Sequence, residues 1–329
     1  MKRRVAVFGC KQTTAFMIDA LREHIEIHVV VTIAQDLAAK NEVADYVDLT
    51  SFLAERGIPA YVAKSYGLKD AVDRETIRSL KIDVAFVIGW QRLIPPEILA
   101  EFSIGAFGMH GSADGLPRGR GRSPMNWALI EGRDRFETNL FRYDAGIDSG
   151  AVADTVVFSI LPSDTAETLH FKNALAMKRL ILRNLDALID GSASLEAQRD
   201  DVPTFYPKRE PGDSIIDWRN DIAEIDRFIR AVAPPFNGAF SFVDGKKVTI
   251  DRAAIFELDG VDFGHSDAVP GTIVEIFPNG KWLVRASGGL LIVHESRSES
   301  TLHVGARCVS PPDAIREFPT NERGGHDLP

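Results

Sequence analysis

The first half of the chain alternates short, strand-like runs rich in apolar and β-branched residues with stretches of helical spacing, and this alternation restricts the possible folds more than any other feature. Residues 4–8 form a strand-like run ending at Gly9, and residues 13–23 follow with Phe16, Ile18 and Leu21 on one helical face. Residues 27–33 read as a buried strand, 49–55 as a helix, 60–62 as a short strand after Gly57, 70–80 as a helix and 84–88 as another apolar strand. Strands without a polar face, separated by helices, pair in parallel within an open sheet covered on both sides. The pattern therefore predicts an α/β fold with a Rossmann-like, mostly parallel sheet. Ligands of such sheets bind beyond the carboxyl ends of the strands.

The loop after the first strand, Gly9-Cys10-Lys11-Gln12-Thr13-Thr14, carries one glycine where a dinucleotide fingerprint needs three, and no Walker pattern is present. NAD and ATP are poor expectations for this sheet. Residues 165–188 are the longest helical stretch, with Asp164 as the expected cap and Gly191 as the stop. Residues 192–214 lose periodicity and gather Pro203, Pro207, Pro211 and Gly212. A short helix over 222–233 ends at Pro234-Pro235. Brief strands over 239–243, 247–250, 272–276, 282–286 and 290–294 follow, separated by Asp244-Gly245, Asn279-Gly280 and Gly288-Gly289. The expected organisation is a catalytic domain over 1–200, a linker over 201–215 and a smaller β-rich, open barrel-like domain over 216–329.

Charge and cysteine content narrow the partners. The net charge is −9, and residues 210–329 hold 12 basic against 19 acidic side chains. Nucleic-acid binding draws on a basic excess, so it is disfavoured. Cys10 and Cys308, almost 300 residues apart, offer neither a disulfide framework nor a CxxC zinc site. No HExxH or His/Cys cluster occurs, and no metal is expected. The basic start Met-Lys-Arg-Arg precedes only a short apolar run, and no stretch approaches the roughly 20 apolar residues of a membrane span. The expectation is a cytoplasmic protein without a membrane partner.

Two residues stand out chemically. His110 follows the apolar segment 105–109 and opens a glycine-rich polar loop, which places it at a strand's carboxyl end, where α/β active sites form. Asp148 lies in Asp144-Ala145-Gly146-Ile147-Asp148-Ser149-Gly150, where flanking glycines permit tight turns beside a carboxylate; an ordinary hairpin turn reads equally well from the pattern alone.

Four segments in order carry a resemblance. They are Ile88-Gly89-Trp90-Gln91-Arg92-Leu93-Ile94-Pro95; His110-Gly111-Ser112 with Leu116-Pro117 and Arg120-Gly121-Arg122-Ser123-Pro124; Gly146-Ile147-Asp148-Ser149-Gly150; and Asp217-Trp218 with Ile229-Arg230-Ala231-Val232 and Gly238-Ala239-Phe240. From about residue 30 to 295 the chain resembles the formyltransferases that use 10-formyltetrahydrofolate, a family that includes methionyl-tRNA and sugar N-formyltransferases. The resemblance implies a Rossmann-like folate domain followed by a smaller β-rich domain. It gives His110 the role of base toward the acceptor amine and Asp148 that of orienting the imidazole. It places the pterin against Trp90, Arg92, Leu93 and Ile94 and against the loop holding Tyr143, Ile147 and Asp148, mainly through main-chain groups.

One position departs from the family. The asparagine usually found two residues before the histidine, whose amide steadies the formyl oxyanion, is Gly108 here. Ser112, Asn126 or a backbone N–H beside Gly108 are the candidate substitutes. Arg118, Arg120 and Arg122 suit capture of phosphates on the acceptor, with Lys208 adding charge. Three readings follow: a sugar N-formyltransferase acting on a small, nucleotide-linked amino sugar; a methionyl-tRNA formyltransferase; and a folate-binding protein or formyl-folate hydrolase impaired by Gly108. The loop after His110 and the acidic C-terminal part favour the first. The same branch implies a homodimer.

Overall fold

In the computed structural model, which describes residues 3–258, 263 and 267–320, the apolar runs become the centre of a sheet. Strands β1 (Val5–Phe8), β2 (Ile27–Ile33), β3 (Ala60–Ala63) and β4 (Val84–Val87) alternate with helices α1 (Gln12–Leu21), α2 (Gln35–Lys40), α3 (Thr50–Glu55) and α4 (Ala71–Leu80). Then come α5 (Pro96–Leu99), β5 (Gly105–Ser112), the two-residue β6 (Arg120–Gly121), α6 (Pro124–Ile130), β7 (Arg135–Arg142), β8 (Val152–Ser159) and α7 (Ala166–Asp190). The seven-stranded sheet has the order β3-β2-β1-β4-β5-β7-β8. Its first five strands pair in parallel, and β7 joins β5 antiparallel.

Because side chains alternate across a strand, β1 feeds two cores. Val5 and Val7 pack with Val84 and Phe86 against Met17, Ile18 and Leu21 of α1 and Leu180 and Leu188 of α7. Ala6 and Phe8 pack on the other face with Ala85, Val87, Ile77, Ile98 and Trp90. Both faces of the sheet are thus dry, as the continuous apolar runs require.

Strand β5 runs further than its composition indicates. Its parallel pairing with β4 ends at Val87 beside Gly108, while antiparallel pairing with β7 continues from Phe107 opposite Arg142 to Ser112 opposite Glu137. His110 therefore lies inside a strand rather than just after one, on a length that has outrun β4. The glycines of Gly108-Met109-His110-Gly111 hide the strand from pattern reading, and only the distant β7 reveals it. At α7, Thr165 rather than Asp164 makes the reciprocal cap. Thr168 N–H donates to Thr165 Oγ1 at 3.3 Å, and Thr165 N–H donates to Thr168 Oγ1 at 2.9 Å. Asp164 instead accepts from the Thr168 hydroxyl and from Leu161 N–H.

After β9 (Phe205–Tyr206), helix α8 (Ile222–Val232) starts at a capping box in which Asp221 accepts from Glu224 N–H at 2.8 Å. Strands β10 (Ala239–Val243), β11 (Lys246–Leu258), β12 (Ile273–Ile276), β13 (Trp282–Ala286) and β14 (Gly289–Ser298) form an antiparallel sheet ordered β10-β11-β14-β13-β12. Its two edges meet a common segment: Cys308 N–H donates to Gly271 C=O at 2.8 Å, and Val309 N–H donates to Phe242 C=O at 2.7 Å. The sheet is curled toward a barrel by that segment. Ile222, Ile225, Ile229 and Val232 of α8 fill its interior with Trp282, Val284 and Ile250.

Backbone packing divides the chain into two compact units. One runs through Arg120 and includes Glu137–Phe158 and Lys172–Pro203; the other comprises Gly121–Phe136, Ser159–Phe171 and the chain from Thr204 onward. Among the described residues no helix is long and apolar enough to cross a membrane.

Candidate active site

His110 and Asp148, 38 positions apart, meet in the first unit. Nδ1 of His110 is 3.4 Å from Asp148 Oδ2, and Nε2 is 2.9 Å from the Gly119 carbonyl oxygen. The imidazole is 9% exposed and the carboxylate 19%. The strand places His110 opposite Asn139 of β7, beyond the end of β4, which is where an open α/β sheet offers a ligand crevice. Asp148 reaches it from a turn whose left-handed backbone (φ 48°) is costly for a residue other than glycine.

A side chain without any sequence signal holds that turn. Gln198 Nε2 donates to the Asp148 carbonyl at 2.7 Å and to the Gly150 carbonyl at 2.9 Å, and its Oε1 accepts from Arg120 Nη2. Arg120 Nε is buried without a hydrogen-bond partner among the described residues. Burial lowers the guanidinium's pKa, and the charges of Asp148 and Asp144 oppose that shift. The cation thus belongs to the surroundings of the His110–Asp148 pair. Gln198 lies in an aperiodic stretch, where an amide has no pattern to betray it.

Gly108 is two residues before His110 on the same sheet face. A Cβ built there would lie 2.3 Å from Tyr143 Cε2, 3.1 Å from Tyr143 Cζ and 3.0 Å from the Val87 carbonyl oxygen. Tyr143 stacks on Phe141, with ring centroids 5.2 Å apart and planes 12° apart. Its phenol pKa is raised, first by burial and then by the negative charge of Asp148. Ser112, also expected here, donates its hydroxyl to the Arg118 carbonyl at 2.7 Å and accepts from Asp114 N–H at 3.1 Å. Asn126 lies in the second unit, where its amide donates to the Ala231 carbonyl at 2.7 Å.

The segment after β4 is built around Trp90. Its indole packs edge-on against Tyr66 (5.0 Å) and Phe8 (6.1 Å), and its Nε1 is buried without a partner among the described residues. Arg92 lies over the Tyr66 ring at 5.1 Å and donates to Asn41 Oδ1 at 3.2 Å. Leu93 is 55% exposed, whereas Ile94 is buried. Ile147 is half-buried beside Asp148. Arg118 is half-buried, and Arg122, in the second unit, donates its main-chain N–H to the Tyr206 carbonyl at 2.9 Å. Lys208 Nζ, also in that unit, lies 3.4 Å from Glu210. Among the described residues no group of three or more His, Cys, Asp or Glu side chains could hold a metal ion.

Comparison with known proteins agrees with this architecture. Three solved structures share the fold. One is the N-formyltransferase from Helicobacter canadensis, determined with folinic acid and dTDP-3-aminofucose; it is 16% identical, with a TM-score of 0.64 over 90% of this chain and 100% of that one. WlaRD, a sugar 3N-formyl transferase determined in the presence of dTDP and 5-N-formyl-THF, is 17% identical, with a TM-score of 0.64 over 92% and 100%. HypX from Aquifex aeolicus is 18% identical, with a TM-score of 0.63 over 91% of this chain but 46% of its own. The sequence matches the Formyl transferase family over residues 3–185 and the Formyl transferase C-terminal domain over residues 208–307. With more than half its length matched, the chain belongs to the formyl transferase family, enzymes that move formyl groups.

Proposed function

We propose that the protein transfers the formyl group of 10-formyltetrahydrofolate to the amine of an amino sugar carried on a nucleotide. The observation that carries this reading is the His110–Asp148 pair at the carboxyl end of the sheet, within 3.4 Å of each other and largely screened from solvent. An amine loses a proton as it attacks a carbonyl carbon, and imidazole suits that transfer near neutral pH. Nε2 faces the Gly119 carbonyl, so the acceptor amine takes that carbonyl's place to reach the base. Asp148 orients the ring and balances the charge it gains.

The segment from Trp90 to Ile94 fits a flat ligand with hydrogen-bond acceptors: an unpartnered indole N–H and an exposed Leu93 stand at the end of β4. Neighbours of the same fold were determined with a folate compound and with dTDP or a dTDP-linked amino sugar, which supports both the co-substrate and the acceptor class. Within the first unit we assign the acceptor's phosphates to Arg118, a half-buried guanidinium on the loop that follows His110. The acidic balance of residues 210–329 favours a small acceptor over tRNA.

The test is incubation of pure protein with 10-formyltetrahydrofolate, alone and with a panel of nucleotide-linked amino sugars, following tetrahydrofolate release. Release that depends on one sugar is the expected result. Equal release with and without every sugar overturns the acceptor assignment and identifies a hydrolase.

A further inference from the structure

Attack on a formyl carbon places negative charge on the formyl oxygen, and a site that speeds this step needs a fixed donor aimed at that oxygen. The donors that sequence suggests are committed elsewhere. The Ser112 hydroxyl donates to Arg118, and the Asn126 amide to Ala231 in the other unit. Asn139, directly across from His110, turns its amide to the His110 carbonyl at 3.4 Å and accepts from Thr155 at 2.8 Å. Gly108 is paired on both sides, with Val87 and with Phe141.

Tyr143 is different. Its hydroxyl has no hydrogen-bond partner among the described residues, and its ring tip lies where a side chain at position 108 would begin. Residues 108 and 110 share a sheet face and are about 6.6 Å apart along the strand, so the phenol over Gly108 lies on the face that carries His110. Arg120 Nε is also unpartnered, yet it is Tyr143 that overlaps position 108.

We propose that the Tyr143 hydroxyl donates the hydrogen bond to the formyl oxygen in the tetrahedral intermediate, in the space an asparagine at position 108 would occupy. The phenol is well suited to it. Stacking on Phe141 and a main-chain bond from Tyr143 N–H to the Ala106 carbonyl at 2.8 Å fix the ring before substrate arrives. Burial and the nearby Asp148 keep the proton on the oxygen, so it remains a donor. In the reaction the amine lone pair forms the new C–N bond, the carbonyl pair moves to oxygen, and His110 takes the amine proton. Collapse restores the carbonyl and breaks the bond to N10 of the folate, which receives the proton from His110. Tyr143 keeps its own proton throughout.

This inference rests on the formyl-transfer reading above, and its test separates the two. Tyr143→Phe keeps the ring over Gly108 and deletes only the oxygen. With 10-formyltetrahydrofolate, kcat is expected to fall about 100- to 1,000-fold, the usual effect of losing one oxyanion donor. Affinity for 5-formyltetrahydrofolate is expected to stay within about threefold. Wild type and variant are assayed with the amino-sugar panel and with water as the only acceptor, since hydrolysis passes through the same oxyanion. If wild type transfers to an amine and Tyr143→Phe matches it, the phenol's role is rejected and the transferase reading stands. If wild type only hydrolyses, the amino-sugar reading falls and the hydrolysis rates decide the role of Tyr143. If wild type does neither, both are rejected. A compensating pair guards against misfolding: in a Tyr143→Ala background, Gly108→Asn is expected to raise kcat at least about tenfold by restoring a donor. Absence of that gain in a folded double variant counts against the proposal.

Discussion

At the scale of single residues, the site depends on three contacts that act at different points. His110→Asn keeps polarity but removes the proposed base; turnover is expected to fall at least about a hundredfold while folate affinity, measured by calorimetry, is little changed. Gly108→Asn, made alone, drives a Cβ to 2.3 Å from the Tyr143 ring and 3.0 Å from the Val87 carbonyl. Overpacking of this kind costs about 1–3 kcal/mol. The variant is therefore expected to melt at a lower temperature and to turn over no faster than wild type, and a tenfold gain would show that the ring yields easily. Gln198→Ala removes two hydrogen bonds from the turn that carries Asp148. Its expected signature is a fall in kcat with an altered pH–rate profile. A lower melting temperature with an unchanged profile would mean that Gln198 merely braces the loop.

At the scale of elements, the turn between β3 and α4 shows how a carboxylate can organise a connection. Asp73 is fully buried and accepts from the Tyr61 hydroxyl, the main-chain N–H groups of Lys64 and Ser65, and the Ser65 hydroxyl, all between 2.7 and 2.9 Å. Burial alone would raise its pKa, but these hydrogen bonds overcome that and hold it below the usual value. A lowered folded-state pKa contributes stability that is complete above the unfolded value of about 3.9 and is lost as pH falls through the folded value. Asp73→Asn is expected to cost about 2 kcal/mol at neutral pH. In urea titrations its deficit should shrink as pH drops below about 4. Such elements differ in how visible they are in sequence. β1 and β4 are continuous apolar runs and can be read directly. β11 and β14 extend well past their apolar segments because charged residues there are paired across strands, Arg252 with Glu295 and Arg297 with Asp251, each at 2.7 Å. β5 past Met109 depends on β7, roughly thirty residues away, and no local pattern records such a partner. The same division applies at the site. The residue types of His110 and Asp148 advertise their chemistry, whereas Gln198 and the Tyr143 side chain acquire theirs from where the fold sets them.

At the scale of the whole molecule, the two compact units are interleaved along the chain. The chain passes from one unit to the other within β7, within β8 and within α7. Each unit nevertheless keeps its own apolar interior, and each contains one of the two cysteines. Cys10 is buried in the first unit, where desolvation raises its pKa; Cys308 is buried in the second, where desolvation pushes it up to about 12. Neither thiol is expected to react with iodoacetamide in the native protein near pH 8, because the nucleophile is the thiolate. Under denaturant both become reactive, and because there is one per unit, an intact-mass spectrum after a brief alkylation pulse counts open units molecule by molecule. A mixture of unmodified and doubly labelled chains means that the units melt together, which is expected because the chain crosses between them within β7, β8 and α7. A singly labelled population, with the adduct mapped to Cys10 or Cys308, would mean that one unit can open while the other stays closed. Two buried thiols, one per unit, thus turn cooperativity into a quantity read from peak heights.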